Sequence, residues 1–158
     1  MKQKKGEKLR ILGKVLFILY LCFLLYFLIL SDWYGRAGVA AEYRYNLVLF
    51  QEIRRFWVHR AELGAFVVFA NLLGNVLIFI PFGFLISMAS KHKSFFRALF
   101  YSFGLSFTVE IFQLVSRVGI FDVDDLLLNT LGGVLGYTLF VMSHAIRREL
   151  CGSTRKRT

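Results

Sequence analysis

Glu110, Gln113 and Arg117 recur at intervals of three and four residues in one apolar run, and Asp122, Asp124 and Asp125 follow shortly after. On a helix turning about 100° per residue, Gln113 lies about 60° and Arg117 about 20° from Glu110. All three would then share one stripe. A carboxylate inside lipid costs at least about 2.5–3.5 kcal/mol unless it is paired, protonated or wetted. Glu110 therefore demands a partner, and several chemistries would supply one. A desolvated Glu110 could act as acid or base while an aspartate nearer water stays ionised. The aspartates Asp122, Asp124 and Asp125 could hold a hard divalent cation that bridges to a phosphate, although no EF-hand glycine or distal glutamate accompanies them. Arg117 could clamp a phosphate or carboxylate bidentately.

Nucleophilic catalysis has less support. Ser102, Ser106, Thr108 and Ser116 have no identifiable base, and His59, His92 and His144 are scattered without metal-ligand spacing. No cofactor is indicated, and whether the chain is an enzyme stays open. Cys22 and Cys151 do not suggest a disulfide framework.

Other polar groups recur in neighbouring apolar runs. Asn71 and Asn75 stand one turn apart beside Gly74, while Asp125, Asn129, Gly132 and Gly136 fall in a narrow helical arc. The Gly132/Gly136 spacing lets a neighbouring backbone approach closely. Each feature also has a plainer reading. Amides inside membranes commonly bond helix to helix, and aspartates at a helix start commonly cap it. As a set, Asn71, Asn75, Glu110, Gln113, Arg117, Asp122, Asp125 and Asn129 are the candidate ligand-binding residues, with Asp124 joining Asp122 and Asp125 as the candidate cation ligands.

The elements that must position these groups follow from composition. Hydrophobic residues make up 57% of 158 residues, with 18 Phe, yet the net charge is +10. A soluble chain of this size could not bury that much apolar surface. Four apolar runs are legible, at about 12–31, 63–90, 97–117 and 125–146, close to the ~20 residues a span needs. Residues 1–14 form a basic leader, 15–146 one membrane domain and 147–158 a basic tail. Between the first two runs, residues 32–62 carry mixed charge. There Phe50, Ile53 and Trp57 share a face, as in a short amphipathic helix lying on the bilayer. Pro81 is expected to kink or end the second run. The expected fold is an all-α bundle of four transmembrane helices with that interfacial helix between the first and second.

Orientation follows from charge. Six basic residues precede the first run, three lie between the second and third, and five follow the fourth. The positive-inside rule then puts both ends in the cytoplasm, facing anionic lipid headgroups, and the polar residues in the outer half of the membrane. A cleaved signal peptide is the rival reading, with small residues at 38–41, but the apolar run is long for one. A nucleic-acid partner is disfavoured because the charges flank spans instead of forming a single basic face.

Taken together, Asn71-Leu72-Leu73-Gly74-Asn75, Phe79-Ile80-Pro81-Phe82-Gly83, Glu110-Ile111-Phe112-Gln113 and the run from Asp122-Val123-Asp124-Asp125 through Asn129 to Gly136 resemble the VanZ-like family in order and spacing. Upstream, Arg44 to Phe50 resembles that family's Asn-Leu-x-Pro-Phe element, with Leu49 in place of the proline. The resemblance implies a small bacterial membrane protein, in a family whose founding member is associated with low-level teicoplanin resistance. Three functions remain open: an envelope protein binding a lipid-linked precursor or lipoglycopeptide in an outward polar cleft, a membrane enzyme acting on a lipid-linked phosphate or sugar, and a helix-packing partner of another membrane protein.

Overall fold

The computed structural model describes residues 2–26, 42–90 and 94–155. Trp33 and Tyr34, the small residues at 38–41, the far end of the first apolar run, and Lys91 and Lys93 lie outside the described residues. The chain is all-α, with helices α1 (Lys2–Leu25), α2 (Gln51–Val58), α3 (Arg60–Leu63), α4 (Ala65–Ala89), α5 (Phe95–Ser116) and α6 (Val123–Arg155). Two dipeptide strands, β1 (Tyr45–Asn46) and β2 (Phe121–Asp122), pair in parallel.

Lipid explains why these runs become helices. A segment crossing hydrocarbon must satisfy its own backbone N–H and C=O groups, and a helix does so internally. Ala65–Ala89, Phe95–Ser116 and Val123–Arg148 are each long and apolar enough to cross a membrane. Ile11–Leu25 of α1 is apolar but shorter. Phe66, Leu77, Phe100 and Leu139 point outward and are exposed, the inverse of a soluble core.

α4 is the central element, packing on α6 most extensively and also on α1, while α5 packs on α6. α1 runs antiparallel to α4: Gly13 lies against Met88, Phe17 packs on Phe82 and the Tyr20 hydroxyl donates to the Ile78 carbonyl. α4 continues through Pro81 to Ala89, so the proline does not end the helix. Proline removes one backbone donor at this level of α4, and Tyr20 brings a hydroxyl to the same turn from outside. The apolar core gathers Leu24, Phe79, Phe82 and Val109.

Small residues set the distance between α4 and α6. A Cβ on Gly132 would overlap the Val76 carbonyl, one on Gly136 the Ile80 carbonyl, and one on Gly83 the backbone of Gly133. The two backbones therefore touch along two turns. The Gly132/Gly136 spacing is thus occupied within the chain, by α4.

β1 and β2 were not expected from the sequence. Their pairing places Asn46 beside Asp122, and the Phe121 N–H donates to the Arg44 carbonyl at 3.1 Å. This stitch ties the segment before α2 to the α5–α6 connection. Together with α2 and α3 it forms a cap over one end of the bundle. α1 and α5 run toward that end, and α4 and α6 run away from it.

Candidate functional site

The acids lie at the capped end, and backbone amides hold most of them. Glu110, on α5 and only 2% exposed, accepts the Asp122 N–H through Oε2 at 2.9 Å. Asp122 stands just before α6. Its Oδ1 accepts the Asp124 N–H at 2.8 Å, an ordinary helix N-cap, and also the Asn46 amide at 3.2 Å. Asn46 is itself held by accepting the Val48 N–H at 3.0 Å. Asp125, in the first turn of α6, accepts from the Asn75 side chain of α4.

Asp124 does something a local reading does not reveal. It is 1% exposed and turns away from its own helix to cap another. The residue at the N-cap position of α2 is Phe50, which has no side-chain acceptor and sits at φ 65°. Asp124 supplies the missing acceptor: Oδ1 takes the Phe50 N–H, and Oδ2 takes the Glu52 N–H at 2.9 Å and the Ile53 N–H at 3.3 Å. The Glu52 and Ile53 donors in the first turn of α2, which no helical carbonyl can satisfy, are thus met by a carboxylate more than seventy residues away, while the Gln51 N–H donates to the Val48 carbonyl.

The cap brings one further acid inward. Glu52, Ile53 and Phe56 are the half-buried residues of α2, whereas Phe50 and Trp57 are exposed. The inward face therefore differs from the Phe50/Ile53/Trp57 face expected from the sequence. Glu52 pairs with Arg55 at 2.6 Å. Its pKa is raised by burial and by the nearby Asp122 and Asp124 charges, against the lowering effect of Arg55. Asp122 is also raised, chiefly by burial, although the Asp124 N–H and the Asn46 amide oppose the shift.

Both shifts give the fold a pH dependence of definite sign. A carboxyl whose folded pKa is raised contributes stability that is fully present below its ordinary range, about pH 4, and is lost as pH rises through the folded value. The thermal midpoint of the detergent-purified chain should therefore fall as pH rises above about 4. Glu52→Gln combined with Asp122→Asn should flatten that fall, and an unchanged slope in the double variant would contradict the assignment.

Deeper in the bundle, Ser102, Ser106 and Glu110 recur every four residues on α5 and are all buried. They face α6, where the Asn129 amide donates to the Ser106 hydroxyl at 2.9 Å and Gly133 lies against Ser102. The Asn129 Oδ1 and Ser102 Oγ are buried without a hydrogen-bond partner among the described residues.

The other candidates go elsewhere. Asn71 donates to the Val67 carbonyl of its own helix at 2.8 Å. Gln113 lies against Gly119, whose N–H donates to the Gln113 carbonyl at 3.3 Å. Arg117 follows the last residue of α5 at φ 57°, so the helical stripe stops before it. Its guanidinium lies over the Tyr43 ring, 4.5 Å from the centroid, and approaches the Tyr43 hydroxyl at 3.4 Å. The three aspartates are divided among different partners, and among the described residues no three His, Cys, Asp or Glu side chains form a metal-binding group. Asn46, Glu52, Ser106 and Tyr43 are not among the candidate binding residues read from the sequence. Asn46 stands in the Arg44 to Phe50 motif and Ser106 one turn from Glu110, so both had a signal. Glu52 had none.

Comparison with known proteins places the chain among membrane proteins of one family. The VanZ/LLP1 family model matches residues 17–145. Protein VanZ of Enterococcus faecium is 38% identical over 76 residues, covering 48% of this chain and 47% of that protein. The match thus spans about half the length of that curated relative. No solved structure matches the chain.

Proposed function

This chain belongs to the VanZ/LLP1 family, and on that footing we propose that it is a four-span protein of a bacterial cell membrane that engages an amphiphilic ligand at its capped end. Its apolar helices make it a membrane protein. The distribution of basic residues supports both termini in the cytoplasm and the cap outside. A lipid-linked cell-wall precursor or the acyl tail of a lipoglycopeptide suits that location, because the cap lies where polar headgroups meet acyl chains. By the family relationship, tolerance of a glycopeptide such as teicoplanin is the phenotype to look for.

Glu110 carries this reading. A buried intramembrane carboxylate is costly and usually marks a functional site. Here it joins α5 to the start of α6, and through Asp122 and Asn46 to the cap. A ligand that shifts the cap would act on the same chain of hydrogen bonds. The acid–amide groups from α2, α4, α5 and α6 support a site at this end more than a surface for a partner helix, since Gly132 and Gly136 are occupied by α4.

The test is expression in a glycopeptide-sensitive host with membrane abundance measured alongside. Wild type should raise the tolerated teicoplanin concentration, and Glu110→Gln should remove most of that gain at equal abundance. If tolerance and ligand binding both survive Glu110→Gln and Arg117→Ala, the proposal fails.

A further inference from the structure

The cations of the cap are of a single kind. Among the described residues of that end they are Arg44, Arg54, Arg55, Arg60 and Arg117, whereas all eight lysines of the sequence fall in other segments. Simple attraction to negative charge does not distinguish lysine from arginine. Bidentate binding to a phosphate or carboxylate does, because the guanidinium presents a rigid planar fork.

Three of these arginines are held against aromatic rings. Arg55 lies 5.1 Å from the Phe56 centroid and Arg60 5.0 Å from that of Trp57, with Arg117 over Tyr43 as described. Arg60 also donates to the Trp57 carbonyl at 2.7 Å. A ring beneath a guanidinium restricts its rotamers, so less freedom remains to be lost when an oxyanion arrives.

The placement of α2 orients this set. Asp124 grips its first turn and Glu52, Ile53 and Phe56 face the bundle, which leaves Arg54 on the opposite, exposed face and Arg55 exposed at its flank, where one guanidinium nitrogen pairs with Glu52. Trp57 and Val58 are exposed beside them. A short helix carrying cations next to exposed apolar groups matches the boundary between headgroups and acyl chains. Of the cap's acids, Glu42 and Glu62 are exposed and Glu52 is half-buried and paired with Arg55, so against Arg44, Arg54, Arg55, Arg60 and Arg117 the outward balance stays basic.

We propose that the outward face of α2 and α3 is a docking surface for anionic lipid phosphate headgroups, with the forks of Arg54, Arg55 and Arg60 on the phosphate oxygens and Trp57 and Val58 among the acyl chains. This rests on the reading of the capped end as the ligand-facing end and adds the headgroup chemistry that end recognises.

The full-length chain in neutral-detergent micelles, at physiological salt, is titrated with short-chain phosphatidylglycerol or phosphatidylcholine, and bound lipid is counted by native mass spectrometry. Wild type should prefer phosphatidylglycerol by about tenfold, and the Arg54→Lys/Arg55→Lys/Arg60→Lys variant, whose net charge is unchanged, should lose most of that preference. Equal binding of the two lipids overturns the proposal, as does undiminished preference in the lysine variant, which would mean charge attraction alone. Displacement of the lipid by millimolar inorganic phosphate also overturns it, because the site would then serve free phosphate. Lost tolerance in Glu110→Gln beside unaltered lipid preference in the lysine variant would reject the docking surface and keep the proposed function. Retained tolerance in Glu110→Gln beside a lysine-sensitive preference would do the reverse.

Discussion

Gly83→Ala is expected to destabilise this protein by about 3 kcal/mol, although alanine is the better helix former. In a helix interior the exchange alone would favour alanine by about 0.5–1 kcal/mol. At position 83, however, the new methyl would occupy the space of the Gly133 carbonyl and crowd the carbonyl carbon and Cα behind it. Those are backbone atoms, so no rotamer change can relieve the overlap, and α4 and α6 must separate. Overpacking typically costs about 1–3 kcal/mol and sometimes more. The upper end applies here, because separation also disturbs the contacts of Gly132 with Val76 and of Gly136 with Ile80. Gly74 and Gly104 meet nothing within 4 Å of a built Cβ, so alanine there should be neutral or stabilising. Thermal scans of detergent-purified variants would show this ordering. A Gly83→Ala midpoint equal to those of Gly74→Ala and Gly104→Ala would disprove the close crossing.

Asp124→Ala is expected to release the cap while leaving the bundle folded. The substitution takes the acceptor from three N–H groups at the start of α2. Loss of a cap costs up to about 2 kcal/mol, and bonds to a charged acceptor about 1.5–3 kcal/mol each, so undocking by about 2–4 kcal/mol follows once water satisfies the freed donors. Phe50 adds to the effect. Its left-handed conformation costs about 1–2 kcal/mol, and the bond from its N–H to Asp124 helps hold it there. Asp124→Asn keeps an acceptor oxygen without the charge and should fall between the two. Protease cleavage within residues 42–63 should rise strongly in Asp124→Ala, moderately in Asp124→Asn and little in Asp125→Ala, whose partner is Asn75. Equal protection in all four proteins would show that Asp124 is not the latch.

The two substitutions differ in how visible their causes were. The close approach of Gly132 and Gly136 was legible as a spacing, but not that Val76 and Ile80 of the same chain receive it. That Asp122 and Asp124 are of a helix-capping residue type was also legible. Only the fold assigns Asp122 to α6 and Asp124 to α2, because the second cap spans more than seventy residues of sequence.

Arg117 shows where a periodicity argument stops. Its angle to Glu110 was sound for a continuing helix, but α5 ends at Ser116 and the left-handed turn redirects the side chain to Tyr43. Asn71 has the helical phase of Asn75 within about 40°, yet one bonds its own helix and the other reaches Asp125. Burial separates them, since Asn75 faces α6 and Asn71 is only half-buried.

By itself the sequence determined that this is a helical membrane protein with costly polar groups at one level, since lipid imposes rules that act within a single run. Long apolar stretches must be helices, and each acid among them needs a partner. Which partner each acid finds was left to tertiary structure. Hydrogen bonds reach about 3 Å, and only packing of α2, α4, α5 and α6 brings groups that are distant in sequence within that range.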